Sequence, residues 1–130
     1  MERNSNVIFN EQMRVRTKEF ALSIISLCNK KLKQTQEVEK ILIRQLVRSS
    51  TSVAANYRAA IRGRSGTEFY SKICVVVEEA DETQFWLEIL KDSKILSGEI
   101  IVPFYKEITE ILAITTTIKH NLKKQNKKIE

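Results

Sequence analysis

The feature of this sequence best suited to chemistry is a run of arginines without acidic neighbours. The segment RQLVRSSTSVAANYRAAIRGRSG covers residues 44–66, and no aspartate or glutamate occurs between Ile41 and Thr67. A guanidinium group donates hydrogen bonds in a fixed fork that fits phosphate or carboxylate oxygens. Two roles are therefore open, namely binding of nucleic-acid phosphates and pairing with carboxylates of this protein. The candidate residues are Arg44, Arg48, Arg58, Arg62 and Arg64.

A helical projection of this segment places its arginines on one side. At about 100° per residue, Arg44, Arg48, Arg58 and Arg62 fall within a sector of roughly 80°. The rest of the perimeter is apolar or small, which indicates either a contact between subunits or deep burial in the chain's own bundle. Asn56 lies on that apolar side, where an unpaired amide is costly, so we expect it to be structural and not catalytic. A hydrogen bond across to a neighbouring helix is one way to pair it.

A candidate partner for the arginines is the acidic segment VEEADETQFWLEIL. Its carboxylates Glu78, Glu79 and Glu82 fall outside the apolar face of their own helix. Such a face is most often solvated. The alternative is that these residues pair with the arginines, within one subunit or across a subunit interface.

Other chemistry finds little support in the residue types. A di-iron bundle needs two Glu-x-x-His units, whereas the chain has one histidine, His120. The serines of the arginine segment have no nearby base, and no phosphate-binding glycine loop is present. Arg62, Arg64 and the start of the following helix form a weak candidate for holding one anion. We therefore predict no enzyme activity, no metal and no cofactor.

Composition is typical of one globular domain. The chain has 130 residues, 42% of them hydrophobic, and a net charge of +6. That charge makes a polyanionic partner worth considering. Two cysteines far apart indicate neither a disulfide framework nor a zinc site. No apolar run is long enough to span a membrane and the start is unlike a signal peptide, which predicts a cytoplasmic protein.

Four long helices must position these residues. Only three glycines and one proline interrupt the chain, and apolar residues recur at steps of three and four. Thr67 is the expected N-cap of the third helix, and Pro103 is expected in the first turn of the fourth. Short connections predict an antiparallel up-down-up-down four-helix bundle over residues 1–130. The expected helices are 10–32, 37–62, 67–93 and 99–124, with flexible ends at 1–9 and 125–130.

The central part of the chain resembles a known family. Residues 46–90, above all SVAANYRAA, RGRSGTEFYSK and EEADETQFWLEIL, are similar to bacterial four-helix-bundle proteins. These are related to the ribosomal-RNA intervening-sequence protein and to the accessory protein of diversity-generating retroelements. Ala54 and the pair Ala59–Ala60 replace a proline and a glutamate–glycine pair of many relatives, which indicates a separate branch.

The resemblance implies a homo-oligomer, a barrel-shaped or ring-shaped pentamer, that binds RNA or DNA through a basic surface. It also implies a reverse transcriptase as a protein partner. By position, the basic residues that match the family are Arg48, Arg58, Arg62 and Arg64, and Asn56 matches the asparagine of its AN motif.

Two functions follow as hypotheses. The first is a non-enzymatic oligomer that binds nucleic acid through the five arginines. The second is a structural or protein-interaction oligomer that binds no nucleic acid, because its arginines pair with Glu78, Glu79 and Glu82.

Overall fold

The structure is all-helical, as the apolar spacing predicts. The computed structural model describes the backbone of residues 2–32 and 36–129 and the side chains of residues 5–31 and 36–125. Across these residues there is no strand. The helices are α1 (Glu2–Leu32), α2 (Glu37–Ile61), α3 (Gly66–Asp92) and α4 (Gly98–Ile129). At 1.5 Å per residue they are about 37 to 48 Å long.

The four helices pack as an antiparallel bundle. Each helix packs against its neighbours in the chain, and α1 closes the bundle against α4, so that α1–α3 and α2–α4 are the diagonals of the described structure. The antiparallel register is visible in the hydrogen bonds between helices, which join Asn10 to Tyr57, Ser49 to Thr83, Gln84 to Thr109 and Arg16 to Glu107. The predicted bundle topology is therefore present in a single chain.

The core consists mainly of the apolar residues that the periodicity selects. Residues such as Ile24, Leu46, Ile73 and Ile108 are fully buried. In α2 the helical projection predicts a buried side through Leu42, Leu46, Ser49, Val53, Asn56 and Ala60. The observed side is rotated slightly, because Ile43 and Tyr57 are buried while Leu42 and Asn56 are only half-buried. At about 25 cal/mol per Å² of apolar surface, burial of this kind is the main stabilising contribution to such a bundle.

The outer helices extend beyond their predicted ends. α1 begins at Glu2 instead of residue 10, and α4 continues to Ile129 instead of residue 124. Helical hydrogen bonds are local and need no apolar face, so a helix can continue where the apolar pattern stops. The mobility of these ends stays a prediction. The polar run KLKQTQ, expected to end the first helix, covers residues 31–36, of which 33–35 lie outside the described residues.

The N-cap of α3 is Ser65, and the prediction of Thr67 was wrong. The backbone of Ser65 is extended, and its Oγ accepts a hydrogen bond from the Glu68 N–H at 3.1 Å. The Glu68 carboxylate in turn accepts from the Arg64 N–H at 2.5 Å. Ser65 and Glu68 thus have the spacing of a capping box, which places the first turn of the helix two residues earlier than Thr67 would.

Pro103 lies in the second turn of α4, not in the first as predicted. The helix begins at Gly98 because Ser97 Oγ accepts from the Ile100 N–H at 3.2 Å and so caps the first turn. Pro103 has no N–H to offer the carbonyl oxygen of Glu99. Both residues are exposed, so water can satisfy that oxygen and the helix continues.

None of these helices, within the part of the chain that is described, has a stretch long and apolar enough to cross a membrane.

Candidate nucleic-acid interface

Three of the predicted arginines are exposed along the outer face of α2. Arg44, Arg58 and Arg62 form no ion pair with any other described residue. Arg62, the C-cap of α2, comes eighteen residues after Arg44, a separation of about 27 Å along the helix axis. Arg64 is exposed in the turn after α2. The face therefore presents unneutralised positive charge over most of the length of the helix.

Arg48, the fourth arginine of α2, is already paired with carboxylates. Its Nη1 donates to Glu79 Oε2 at 3.2 Å, its Nη2 contacts Glu82 Oε1, and its Nε donates to Gln45 Oε1 at 3.0 Å. Glu79 and Glu82 lie on α3, so one of the predicted pairings is present within a single chain. Arg48 therefore differs from the other three arginines in being paired, although the helical projection places all four in one sector.

This pairing changes the proton affinity of both partners. The hydrogen bond from Arg48 holds the pKa of Glu82 below its ordinary value, and the hydrogen bond to Glu82 raises the pKa of Arg48. The side chain of Arg48 is 46% exposed and that of Glu82 36%. Solvent therefore screens the pair, which limits its contribution to stability to about 0.2–1 kcal/mol.

Glu78 stands apart from Glu79 and Glu82. It is exposed on the outer face of α3 and has no ion pair with the described residues. Its neighbours on that face are Asp81, which is also exposed, and Phe85, whose side chain is 49% exposed. Within one chain, then, this acidic face does not neutralise the arginines of α2.

The two sides of α2 account for its apolar and small residues. Facing the core and α3, Ser49 is buried and accepts a hydrogen bond at 2.9 Å from the hydroxyl of Thr83. Asn56 donates to the Ser52 carbonyl oxygen at 2.9 Å and to Ser52 Oγ at 3.0 Å. The side-chain N–H groups of Asn56 are therefore paired within α2 and not with a described residue of a neighbouring helix. Burial within the chain's own bundle accounts for Ser49, but Ser52 is half-buried and Ala55 is exposed, so a subunit contact on this helix stays a prediction.

On the other side of α2 the structure adds two basic residues that sequence reasoning missed. Arg14 and Lys18 of α1 line a groove of about 170 Å³ together with Ala54, Ala55 and Arg58. Arg14 also pairs with Glu11 one turn away, at 2.5 Å. The short connection between α1 and α2 could have indicated these two basic residues. It makes the two helices antiparallel, and so brings residues near 14 beside residues near 58.

The weak anion site predicted at the start of α3 is occupied by the protein itself. The carboxylate of Glu68 lies against the Arg64 N–H, and Ser65 Oγ accepts from the Glu68 N–H. Glu68 also lines the adjoining cleft with Arg62 and Lys72. An external anion would have to compete with this carboxylate for the positive end of the helix.

One cysteine and two serines that could act as nucleophiles are buried in the bundle. Burial raises the pKa of Cys28 to about 11, which keeps its thiol protonated. The hydroxyls of Ser49 and Ser50 donate to backbone carbonyl oxygens of α2 at 3.3 and 3.2 Å. Among the residues that the structure describes, no group of three or more His, Cys, Asp or Glu side chains is arranged to hold a metal ion.

Comparison with known proteins agrees with this architecture. Residues 10–117 match the family model of the 23S rRNA-intervening sequence protein. A crystal structure of a protein of unknown function from the S23 ribosomal protein family of Bacteroides thetaiotaomicron is similar, with a TM-score of 0.76 and 27% identity. The match covers 85% of this chain and 97% of that one. Comparison with curated proteins gives no match.

Proposed function

Because the chain belongs to the 23S rRNA-intervening sequence protein family, we propose that it is a non-enzymatic, homo-oligomeric bundle that binds nucleic acid through phosphate contacts. The residues that make these contacts are Arg44, Arg58, Arg62 and Arg64. Arg48, a member of the predicted set, is left out because Glu79 and Glu82 already bind it.

The observation that carries this proposal is the unpaired state of the arginines on the outer face of α2. Guanidinium groups without carboxylate partners keep their full charge for a ligand, and phosphate oxygens fit their geometry. Contacts of this kind position a protein on the backbone and carry little sequence information. The family's name refers to an intervening sequence of 23S rRNA, so RNA is the ligand to test first.

The test is a salt titration of RNA binding with two charge-matched variants. Each phosphate contact contributes about 0.7 to the slope of log affinity against log salt for a single strand, and about 0.9 for a duplex. The double variant Arg58→Gln/Arg62→Gln should lower the slope by roughly 1.4 for a single strand and 1.8 for a duplex. The control Lys91→Gln/Lys106→Gln removes the same charge from α3 and α4, and both of its lysines are exposed.

The proposal predicts that the control keeps the wild-type slope. It is contradicted if wild-type protein shows no affinity for RNA or DNA at low salt. Equal slopes for the two double variants contradict it as well, because they would assign the affinity to net charge instead of to α2.

Absence of catalysis is part of the proposal, and the engaged nucleophiles support it. The Cys28 thiol is buried, and the hydroxyls of Ser49 and Ser50 donate to their own helix. A nucleophile needs a base within hydrogen-bond reach, whereas Ser49 and Ser50 bond to backbone carbonyl oxygens.

A second candidate function is a structural or protein-interaction oligomer that binds no nucleic acid. The observation that favours it is the outer face of α3, where Glu78 and Asp81 flank the half-exposed Phe85. An acidic face with an exposed aromatic residue is complementary to the basic face of α2 in another copy. Contacts of this head-to-tail type close into rings, such as a pentamer, when the rotation between copies permits.

Charge reversal separates the second candidate from the first. If arginines of α2 pair with α3 of another copy, Arg58→Glu should dissociate the oligomer and added Glu78→Arg should restore it. Light scattering measures the mass of each variant. A monomeric wild-type protein contradicts both functions as proposed, since each includes an oligomer.

A further inference from the structure

We propose that the groove between α1 and α2 is a binding site for one phosphodiester strand, in which Arg14 and Lys18 of α1 form the wall opposite Arg58. This inference rests on the proposed function and adds a second helix to it. Ala54 and Ala55 form the floor of the groove. The strand would lie along the seam between the helices instead of across the face of α2 alone.

Charge is the first argument for this site. The five residues that line the groove include three cations and no acid. Arg58 and Lys18 form no ion pair with the rest of the described chain. Like charges held together repel one another, so an anion between them gains attraction from several groups at once. Neighbouring cations without a nearby acid are unfavourable in the free protein, and local features that lower stability in this way are typical of binding sites.

Shape is the second argument. Ala54 is half-buried and Ala55 exposed, and their methyl groups leave room for a ligand to approach the backbone of α2. The groove holds about 170 Å³, below the roughly 300–1,000 Å³ of a site for a drug-sized molecule. That volume suits a phosphate group of a strand that continues beyond the groove at both ends.

Continuity along the seam is the third argument. Arg44 lines a second groove of about 190 Å³ on the same side of α2, together with Ile25 and Asn29 of α1. Arg44 and Arg58 are fourteen residues apart, or about 21 Å along the axis. That distance equals about six steps at the 3.4 Å axial spacing of phosphates in one strand of a duplex. One strand can therefore reach both grooves.

Glu11 is the only acid that contacts a residue of the groove by an ion pair within the described chain. Its carboxylate accepts from Arg14 Nε at 2.9 Å and from Arg14 Nη2 at 2.5 Å. Both side chains are on the surface, with exposed fractions of 57% for Glu11 and 34% for Arg14. An exposed pair of this kind is weak, so a phosphate can take over the guanidinium of Arg14.

The experiment compares Lys18→Gln with the control Lys106→Gln in a salt titration. Both lysines are exposed, and Lys106 lies on α4, diagonal to α2. The probe is an oligouridylate of about 20 nucleotides, with a duplex of equal length as a second probe. The affinity ratio between 50 and 200 mM salt should shrink by about 2.6-fold for the single strand in Lys18→Gln and remain unchanged in the control.

Two further variants keep the test independent of any single side chain. Arg14→Gln should also flatten the salt dependence. Glu11→Gln should strengthen binding, because it frees Arg14 and removes a negative charge beside the groove. Circular dichroism melting checks that each variant is folded.

The outcomes separate this inference from the proposed function. If wild-type protein binds the probe and Lys18→Gln matches Lys106→Gln, the groove is not the site and the proposed function stands. If wild-type protein binds neither probe, the proposed function fails and the inference fails with it. Tighter binding by Glu11→Gln together with the loss in Lys18→Gln supports the groove.

Discussion

The two flanks of α2 differ in whether an arginine on them meets a carboxylate. On the flank toward α3, Arg48 is bound by Glu79 and Glu82. On the flank toward α1, Arg58 shares a groove with Arg14 and Lys18 and meets no acid among the residues that line it. For Arg48 and Arg58, therefore, the neighbouring helix decides whether the charge is neutralised.

The flanks also differ in how tightly they are packed. Along the middle of α2, half-buried Ser52 allows close approach to α3, and the Ser49–Thr83 hydrogen bond crosses the interface. A cleft opens at the turn between α2 and α3, beside Arg62 and Glu68. Against α1, the outer part of the seam stays open as grooves. Along the middle of α2, the α3 side (the closed flank) is therefore filled by side chains, whereas the α1 side (the open flank) leaves charge and space available for a ligand.

The largest expected effect is a loss of stability, and it tests whether Tyr57 fastens α2 to α1 on the open flank. Tyr57 is fully buried, its hydroxyl donates to Asn10 Oδ1 of α1 at 3.2 Å, and burial raises its pKa to about 12, so it remains a donor at neutral pH. Tyr57→Ala should lower the free energy of unfolding by about 3–5 kcal/mol. Tyr57→Phe keeps the ring and should cost about 1 kcal/mol. Urea denaturation measures both, and similar losses in the two variants would show that the ring does not fasten α1 to α2.

The next effect concerns the closed flank. Thr83→Val keeps the shape of the side chain but removes the hydroxyl that bonds to buried Ser49, and should cost about 1–2 kcal/mol of unfolding free energy. The double variant Ser49→Ala/Thr83→Val removes both polar groups and should recover part of that loss. Chemical denaturation of Thr83→Val, of Ser49→Ala and of the double variant gives the coupling energy. A coupling near zero would mean that this hydrogen bond does not join α2 to α3.

The smallest effect concerns pH and the Arg48–Glu82 pair. Because Arg48 holds the folded-state pKa of Glu82 below its unfolded value, the pair stabilises the protein above the unfolded pKa of about 4.3. This contribution is lost as pH falls through the lower folded-state pKa. Arg48→Gln should therefore cost about 0.2–1 kcal/mol at pH 7 and progressively less below about pH 4. A loss in Arg48→Gln that is as large at pH 3 as at pH 7 would contradict the pairing.

The fold was predictable because it depends on periodic burial. Steps of three and four select Ile73, Val76 and Leu87, and all three are fully buried. Helix ends were less predictable, since caps depend on single side chains. The Ser65-x-x-Glu68 spacing was present in the sequence and identifies the true start of α3, but Thr67 also has the residue type of a cap.

The candidate site was predictable only in part. Helical projection places Arg44, Arg48, Arg58 and Arg62 on one face, and the structure has all four exposed. Projection of one helix carries no information on its neighbours. To predict that Arg48 pairs with carboxylates of α3, or that Lys18 of α1 lies beside Arg58, one needs the register between the helices.

The most direct measurement compares the two flanks at unchanged net charge. The variant Arg58→Gln/Glu78→Gln removes an unpaired arginine and an unpaired carboxylate, whereas Arg48→Gln/Glu82→Gln removes a preformed pair. We predict that the first lowers the salt slope of RNA binding by about 0.7–0.9 and that the second leaves it unchanged. Equal slopes for the two variants, or a larger loss in Arg48→Gln/Glu82→Gln, would contradict the assignment of phosphate binding to the open flank.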